Sequence, residues 1–338
     1  MGELRWGILS AGNISHDFVN AMKIHSSGEH KVVAVAARNL KSAQSFAEKF
    51  GIQTAYGSYE ELVNNKDVDV VYVGSVHPQH YQLCKLAIEA GKHILCEKPL
   101  AMNSRQVNEI LALAKEKGNF FMEGFWSRCF PAMQCLKQKM NDGMIGDIKF
   151  VQASFGFDKI DDPRMSNRET GGGAAMDLLC YPIMLATLVF DEKPQKVSAV
   201  GQLYGEEGVD LWETVTLFYS NGRSAQLAAH AGCQLFNQAI IHGSKGILRV
   251  PYFWCPSEVI TSSGTFTFPL PNPPSDEKMI YPRSEGMMYQ QNCVKECIQN
   301  GSKECPLMTH AHTKIIMGVL DEVRRQLGVV FPADVENE

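Results

Sequence analysis

Three ionisable side chains occur in sequence contexts that suit proton transfer. In HILCEKPLAMNS an apolar run ends at Glu97-Lys98-Pro99, which predicts Lys98 at the carboxyl end of a parallel strand, the edge where such sheets bind ligands. In GGGAAMDLLCYPI three glycines precede a predicted helix that bears Asp177 and Tyr181, and their i, i+4 spacing places both on one helical face. Lysine, aspartate and tyrosine are residue types that can transfer protons in catalysis.

A second set of residues is suited to holding a dinucleotide. The apolar run LRWGIL is followed by SAGNIS, where a dinucleotide-binding enzyme has three glycines. Gly12 would let the backbone approach a pyrophosphate, and Ser10 and Ser15 are small enough to keep the turn compact. The helix start at Asn13 and Ile14 would offer free N–H groups to the anion. Taken by itself, the stretch is also compatible with an ordinary turn.

The end of the second predicted strand indicates which nucleotide this would be. Arg38 stands about 26 residues after Gly12, where an Asp or Glu would bind the ribose hydroxyls of NAD. With Asn39, Lys41 and Ser42 it offers positive charge and hydrogen-bond donors to a 2′-phosphate. A cation at a helix start opposes the helix dipole, and a bound anion would offset that cost. The sequence therefore predicts NADP, and a solvated arginine is the alternative.

Apolar periodicity divides the chain into two halves. Through residue 124, short Val- and Ile-rich runs alternate with helical stretches, which predicts a parallel sheet covered on both faces. After Pro131, runs of period two predict a mostly antiparallel sheet, closed by an amphipathic helix over Thr309–Gln326 and a frayed tail over Ala333–Glu338. The predicted fold class is α/β, with one domain over residues 1–125 and an α+β domain over 126–338.

Composition excludes several classes of protein. A net charge of −5 without a basic patch argues against a nucleic-acid partner. The N-terminus is too charged for a signal peptide, and no apolar run approaches the roughly 18 residues that span a bilayer, so no membrane is expected. Ten cysteines without a C-x-x-C pair favour reduced thiols, so we expect a cytoplasmic protein.

Histidines and cysteines occur at spacings seen among metal ligands, but the sequence does not indicate that they converge. His77, His80 and Cys84 form one such group, and His310 and His312 form another. A metal centre needs three or four convergent ligands. No metal is therefore predicted, and His77 and His80 are expected to border the cofactor cleft.

Taken together and in order, several stretches resemble one family over nearly the whole chain. They are GILSAGNI, SVHPQH, CEKP, MEGFWSRCFP, GGGAAMDLLCY and HGSKG. They are similar to the glucose–fructose oxidoreductase-like family of NAD(P)-dependent dehydrogenases, most of all to its NADP-dependent dimeric dihydrodiol dehydrogenases, also described as D-xylose 1-dehydrogenases. The resemblance implies a Rossmann-type, doubly wound N-terminal domain and a C-terminal domain with a large, open-faced, mostly antiparallel sheet for substrate binding and homodimerisation.

The resemblance also implies a set of site residues. The catalytic residues would be Lys98, Asp177 and Tyr181. The cofactor-binding residues would be Ser10, Gly12, Asn13, Ile14, Arg38, Ser75, His77, His80, Glu97 and Lys98. The substrate pocket would contain Trp126, Phe155, Trp254 and Tyr281. The chain departs from the family pattern at Ser10, Ser15, Val76 and Leu179. It also has Tyr181 at a position where most members have His. No proposed catalytic group is lost.

The function predicted on these grounds is NADP-dependent oxidation of a C–OH group on a small polyhydroxylated ring. The ring would be a trans-dihydrodiol of an aromatic compound, a D-xylose-type aldose, or both. One alternative is an NAD-dependent glycoside hydrolase that works by redox elimination, which Arg38 disfavours. The other is a noncatalytic NADP-binding sensor, against which the set of Lys98, Asp177 and Tyr181 argues.

Overall fold

The computed structural model describes residues 2–26, 28–272 and 278–335. The chain divides into two compact units, each built from separate segments. The first unit contains Met1–Ala101, Gln106–Cys129 and Leu270–His310; the second contains Met102–Arg105, Phe130–Pro269 and Ala311–Glu338. The sequence analysis assigned everything after residue 125 to one domain, whereas in the structure the chain returns to the first unit over Leu270–His310.

The first unit contains a six-stranded sheet with only parallel pairs. Its strands are β1 (Leu4–Leu9), β2 (His30–Ala36), β3 (Thr54–Tyr56), β4 (Val70–Val73), β5 (His93–Glu97) and β6 (Phe121–Gly124). Their order is β3-β2-β1-β4-β5-β6. The order reverses between β1 and β4, the point at which doubly wound sheets bind ligands beyond the carboxyl ends of their strands. The predicted parallel sheet is confirmed.

Helices of the first half alternate with these strands. They are α1 (Asn13–Met22), α2 (Leu40–Phe50), α3 (Tyr59–Val63), α4 (His80–Glu89) and α5 (Ser104–Lys117). The Asn39 side chain accepts the N–H of Lys41 at 2.8 Å and begins α2. Gly91 and Gly118, just beyond the ends of α4 and α5, have φ values of 75° and 70°, the left-handed region that favours glycine there.

The returning segment is tied to α1 by one buried carboxylate. Asp17 accepts the backbone N–H groups of Ile280 and Tyr281, both at 2.8 Å, and the hydroxyl of Ser284. Asp17 has no solvent exposure, so these bonds replace the water that a charged group would otherwise need.

The second unit contains an eight-stranded sheet in the order β14-β13-β12-β11-β7-β10-β9-β8. Its strands are β7 (Ile148–Gly156), β8 (Lys196–Tyr204), β9 (Val209–Phe218), β10 (Ser224–His230), β11 (Gln238–Gly243), β12 (Gly246–Pro251), β13 (Glu258–Thr261) and β14 (Gly264–Thr267). The pair of β7 and β10 is parallel and the other pairs are antiparallel, which confirms the mostly antiparallel prediction.

The remaining helices follow the same chain order. They are α6 (Pro131–Asn141), α7 (Pro163–Ser166), α8 (Cys180–Phe190), α9 (Met287–Gln299), α10 (His310–Leu327) and α11 (Pro332–Val335). The tail was expected to fray from Ala333, but Ala333, Asp334 and Val335 belong to α11. Asp334 holds Arg324 of α10 at 2.6 Å. The rest of the predicted tail, residues 336–338, lies outside the described residues.

The segment Arg168–Phe190 corrects one sequence-based expectation. It is 23 residues long, and its most apolar 18-residue window has a mean hydropathy of 1.7, so by length and composition it could cross a membrane. The expectation that no such stretch exists is wrong, because Asp177 alone does not lower the mean hydropathy of the most apolar window enough. Its most apolar window is 94% buried, and every residue of α8 is buried, as in the core helix of a soluble protein.

Candidate active site

The loop after β1 has the open space and the uncapped helix N-terminus that binding of a pyrophosphate requires. Gly12 is the N-cap of α1, no side chain caps this helix, and its first turn contains no acidic residue. A Cβ added to Gly12 would meet nothing closer than the Ser10 hydroxyl at 3.7 Å. The first helical hydrogen bond is from His16 N–H to Gly12 O, so the N–H groups of Asn13 and Ile14 precede the helical ladder.

Ser10 carries the turn out of β1 in an unusual backbone conformation for a serine. Its φ is 87°, and its N–H donates to Ala36 O at 2.9 Å. The turn therefore has the geometry that glycine usually supplies. At the neighbouring strand end, a Cβ on Gly74 would overlap the Ser15 hydroxyl, so Gly74 allows close packing of this loop on α1.

Arg38 is exposed between the end of β2 and the cap of α2. Burial raises the pKa of the neighbouring Tyr59 hydroxyl, and the Arg38 charge opposes that shift. Lys41 and Ser42 are exposed in the first turn of α2. The four side chains predicted to bind a 2′-phosphate, Asn39 included, thus lie in one short segment on the surface of the first unit.

The loop that carries Lys98 is held from two sides. His80 Nδ1 contacts the carbonyl of Pro99 at 2.9 Å, and a buried Glu123 accepts the N–H of Leu100 at 2.9 Å. The Lys98-Pro99 peptide bond is cis. These contacts fix the backbone on the carboxyl side of Lys98, at the edge of the parallel sheet where the sequence placed it.

Glu97 lies directly before Lys98 and is almost fully buried. The Tyr72 hydroxyl donates to its Oε1 at 2.7 Å, and the Tyr72 ring stacks on Phe18 of α1 at 3.7 Å. Burial raises the pKa of Glu97 to about 7, although the Tyr72 hydrogen bond and the Lys98 charge oppose the shift. Glu97 therefore changes protonation state near neutral pH.

The two predicted cleft histidines have different surroundings. His80 has no solvent exposure, and its ring nitrogens contact two carbonyl oxygens, those of Pro99 and Ser75, the latter at 3.0 Å. Burial lowers the pKa of His80, and a neutral imidazole donates to only one of these carbonyls. His80 thus links the Ser75 loop to the Lys98 loop. His77 lies 5.9 Å from the His80 ring, in a 3₁₀ turn.

In the second unit, Asp177 lies in a helical turn of a different type from the one expected. Ala175–Leu179 is π-helical and continues into α8, whose second residue is Tyr181. Single π-helical turns are rare and frequent at functional sites. Arg164 binds Asp177 in a bidentate pair, with distances of 3.1 Å and 2.8 Å. This pair holds both carboxylate oxygens in one orientation.

Tyr181 lies among aromatic side chains. It is 6% exposed and meets Phe155 edge to face at 5.4 Å, and Phe155 lies 4.5 Å from Trp254. The structure thus brings together two of the four predicted pocket residues beside Tyr181. The other two, Trp126 and Tyr281, belong to the first unit, where Trp126 is buried and the backbone of Tyr281 binds Asp17.

Several contacts of these residues escaped the sequence analysis. Arg164, Glu123 and Asp210 each bind the backbone or side chain of a candidate site segment. Each lies at least 13 residues from its partner. Arg164 and Asp210 lie in no motif, and the motif MEGFWSRCFP, which contains Glu123, gives no sign of the partner of this residue. Only the tertiary fold brings these groups together.

The histidine and cysteine groups that drew attention in the sequence do not form a metal centre. Within residues 2–26, 28–272 and 278–335, no three His, Cys, Asp or Glu side chains are arranged to hold a metal ion. His310 contacts the carbonyl of Phe121 at 3.0 Å, whereas His312 binds Asp191 at 2.6 Å.

Comparisons with known proteins agree with this architecture. Residues 4–125 match the model of an oxidoreductase family with an NAD-binding Rossmann fold, and residues 133–249 match the GFO/IDH/MocA C-terminal domain. The chain is 43% identical over 330 residues to a trans-1,2-dihydrobenzene-1,2-diol dehydrogenase of Xenopus laevis, covering 97% of this chain and 99% of that protein.

Solved structures show the same fold at lower identity. A levoglucosan dehydrogenase in complex with NADH and levoglucosan superposes with a TM-score of 0.83 at 21% identity, covering 96% of this chain and 97% of that one. A 3-ketoreductase from Actinomadura kijaniata in complex with NADP and TDP-benzene has a TM-score of 0.80 at 24% identity, with the same coverage.

Proposed function

The chain belongs to the GFO/IDH/MocA oxidoreductase family, and from this premise we propose that it is an NADP-dependent dehydrogenase that oxidises a C–OH group of a small vicinal diol. The substrate would be a trans-dihydrodiol of an aromatic compound or a D-xylose-type aldose. The observation that carries this proposal is the 43% sequence identity to the Xenopus laevis enzyme, which extends over nearly the full length of both chains. Phe155 and Trp254 beside Tyr181 supply the aromatic side chains that an apolar pocket for either kind of ring needs.

The choice of NADP over NAD rests on Arg38. The family binds NAD(P), and solved relatives hold either NADH or NADP. An exposed arginine just beyond β2 offers paired donors to a 2′-phosphate, whereas an acidic residue there would repel it. The open Gly12 loop and the uncapped start of α1 suit the pyrophosphate of either nucleotide.

We assign the proton transfer to Tyr181. A tyrosine has a pKa near ~10 in water, so it needs a nearby cation to act as a base at neutral pH. We assign that cation to Lys98, whose loop is fixed by His80 and Glu123. Bound NADP would accept the hydride that leaves the substrate carbon. Asp177 would orient the substrate hydroxyls or Lys98, and its ion pair with Arg164 holds its carboxylate in one orientation.

The assay that tests this function compares NADP reduction with benzene dihydrodiol, D-xylose and D-glucose. We expect turnover with at least one of the first two. Release of sugar from a glycoside without net NADPH formation would instead support the redox-elimination hydrolase. Inactivity across a broad panel of alcohols and sugars would support a nucleotide-binding sensor.

Two substitutions test the assigned roles. We expect Tyr181→Phe and Lys98→Met each to lower kcat by about 10²- to 10⁴-fold, because each removes part of the acid–base pair. NADP binding should remain largely intact in both. Matched controls are Tyr219→Phe, a buried tyrosine elsewhere in the second unit, and Lys66→Met, an exposed lysine of the first unit. Near-normal turnover of either test variant removes that residue from the mechanism.

We further propose that the protein is a cytoplasmic homodimer. All ten cysteines are free thiols, as suits a reducing compartment. The dimer would form through the open face of the eight-stranded sheet, on which side chains of β7, β9 and β10 are exposed.

A further inference from the structure

Two acidic side chains lie side by side in the core of the second unit, where none of the proposed steps uses them. Asp210 and Glu213 of β9 both have no solvent exposure, and among the described residues Asp210 Oδ1 and both carboxyl oxygens of Glu213 have no hydrogen-bond partner. Two adjacent buried carboxyls do not both ionise, because neither water nor a countercharge offsets the repulsion. One proton is therefore held between them.

A strand irregularity brings the two carboxyls to one face. Residues three apart on a regular strand point to opposite sides of the sheet. The pairing of β8 with β9 shifts register, so that Gln202 pairs with Trp212 whereas Leu203 pairs with Asp210. Leu211 is the extra residue of this bulge. Bulges re-aim side chains and are enriched beside functional sites.

The carboxylate of Asp210 caps the turn that carries Asp177. Its Oδ2 accepts the N–H of Ala175, the first residue of the π-helical turn. A negative charge is favourable at this end of a helix. Gly173 makes the approach possible, since a Cβ at that position would overlap Asp210 Oδ1.

Burial raises the pKa of both groups, and for Glu213 the neighbouring Asp210 charge adds to the shift. A proton on Glu213 would let it donate to the unpartnered Asp210 Oδ1, while Asp210 Oδ2 accepts from Ala175. Arg324 contributes only at longer range, and its guanidinium is paired with Asp321 and Asp334. Asp210 thus joins β9 to the turn before Tyr181.

We propose that Asp210 and Glu213 are positioning residues, and that their shared proton fixes the π-helical turn so that Asp177 and Tyr181 are held in the orientation the reaction needs. This inference rests on the proposed dehydrogenase function. An apolar pair of similar volume would fill the same space without the cost of burying charge, so the acidic pair is not required for packing alone.

The test is a substitution series at both positions, with kcat, KM, NADP affinity and thermal stability measured on each full-length variant. We expect Asp210→Ala and Glu213→Met to lower kcat by about 10- to 100-fold, because a small misplacement of reacting groups has effects of this size. NADP affinity should stay the same, since the nucleotide loop belongs to the first unit. The conservative Asp210→Asn and Glu213→Gln should restore most of kcat, because an amide accepts or donates in place of the carboxyl. Tyr219→Phe is the matched buried control.

Hydrogen exchange at residues 174–182 separates this inference from the proposed function. The inference is supported if Asp210→Ala exchanges faster than wild type and has a lower kcat at temperatures below its thermal transition, and if Asp210→Asn recovers that kcat. Activity loss that only follows the unfolded fraction, or normal kcat in Asp210→Ala, overturns it. If wild-type protein turns over no substrate, the proposed function fails and takes the catalytic role of the pair with it. If the wild-type protein is active but Asp210→Ala shows unchanged exchange, the positioning role is rejected and the proposed function stands.

Discussion

Glu97 is the buried acid of the first unit whose charge changes near neutral pH. Its pKa in the folded chain is about 7 against an ordinary value of 4.5, so the fold favours its protonated form. Its contribution to the free energy of unfolding is fully present below pH 4.5 and is lost as pH rises through 7. The shift corresponds to roughly 3 kcal/mol across that window.

We therefore expect wild-type protein to lose stability relative to Glu97→Gln as pH rises from 4.5 to above 7. Urea unfolding of both proteins along this pH series measures the difference. Glu60→Gln, at an exposed position of α3, is the matched control. Burial lowers the pKa of His30 to about 4, so this histidine makes the free energy of unfolding rise with pH instead of fall. All three proteins contain His30, so its effect cancels in the comparison. A pH-independent difference between wild type and Glu97→Gln would contradict the prediction.

In the proposed function, Arg38 selects NADP over NAD. We expect Arg38→Asp to weaken NADP binding by about 10- to 100-fold, the size of one or two charge-assisted hydrogen bonds, and to leave NAD binding unchanged or improved. Fluorescence titration with both nucleotides measures this. Lys66→Asp, an exposed position beyond α3, is the control for the change of net charge. Equal affinity of wild type for the two nucleotides would refute the assignment.

Sequence reasoning located side chains that stand in a recognisable local context and missed those whose partners lie far along the chain. Lys98 follows an apolar strand, and Tyr181 follows a glycine run, so both are visible in the sequence. Arg164 stands in DDPRMS without any pattern, and its pairing with Asp177 becomes apparent only in the folded unit. Asp210 is hidden for another reason, since a polar residue in an apolar strand is read as solvent-facing until a bulge turns it inward.

At the level of secondary structure, length decided which elements could be predicted. The alternation of strands and amphipathic helices in the first half was foreseen, because its apolar pattern repeats. The short β3, β13 and β14 give too few residues for a pattern. Helix α9 was missed because its buried side chains include Gln290 and Gln291, which read as a solvent-facing segment. The π-helical turn before α8 has no sequence signal, since it depends on contacts made by Asp210.

The turn after β1 provides a test at this level, because Ser10 adopts a positive φ of 87°. We expect Ser10→Gly to raise the free energy of unfolding of the nucleotide-free protein by about 1 kcal/mol, since glycine adopts this conformation without steric cost. We also expect weaker NADP binding if the serine hydroxyl donates to the pyrophosphate.

Thermal unfolding and nucleotide titration on the same samples measure the two effects. Asn221→Gly is the matched control, since Asn221 also has a positive φ, of 59°, but lies in a turn of the second unit. It should change stability without changing nucleotide affinity. Unaltered NADP affinity in Ser10→Gly would show that the hydroxyl makes no phosphate contact.

The arrangement of the chain as two units explains why the domain boundary is not a single point. The family models end at residue 125 and resume at 133, which agrees with the change of apolar period after Pro131. The segment Leu270–His310 nevertheless completes the first unit through Asp17. This return could not be predicted from periodicity, because Asp17 gives no local sign that its partners lie more than 260 residues away.

The eight-stranded sheet carries the last prediction, the proposed homodimer. On β9 and β10 the side chains alternate, with Val215 and Leu227 buried and Thr214 and Gln226 exposed on the other face. This exposed face forms a shallow depression of about 520 Å³, which contains none of the predicted catalytic residues. Large apolar side chains of the outer strand are also exposed, including Val200 at 61%. A second copy of the chain would remove this surface from water.

Gln226 pairs with Thr216 on one side and with Gln152 on the other, near the middle of the exposed face. In a two-fold interface each substituted residue meets the same surface of its partner, so Gln226→Arg adds two unpaired cations to one interface. We expect light scattering to give twice 37.5 kDa for wild type and 37.5 kDa for Gln226→Arg. Glu116→Arg on α5, which lies in the first unit, should remain dimeric. A wild-type protein that is monomeric at micromolar concentration would contradict the dimer, while dissociation by both variants would place the interface elsewhere.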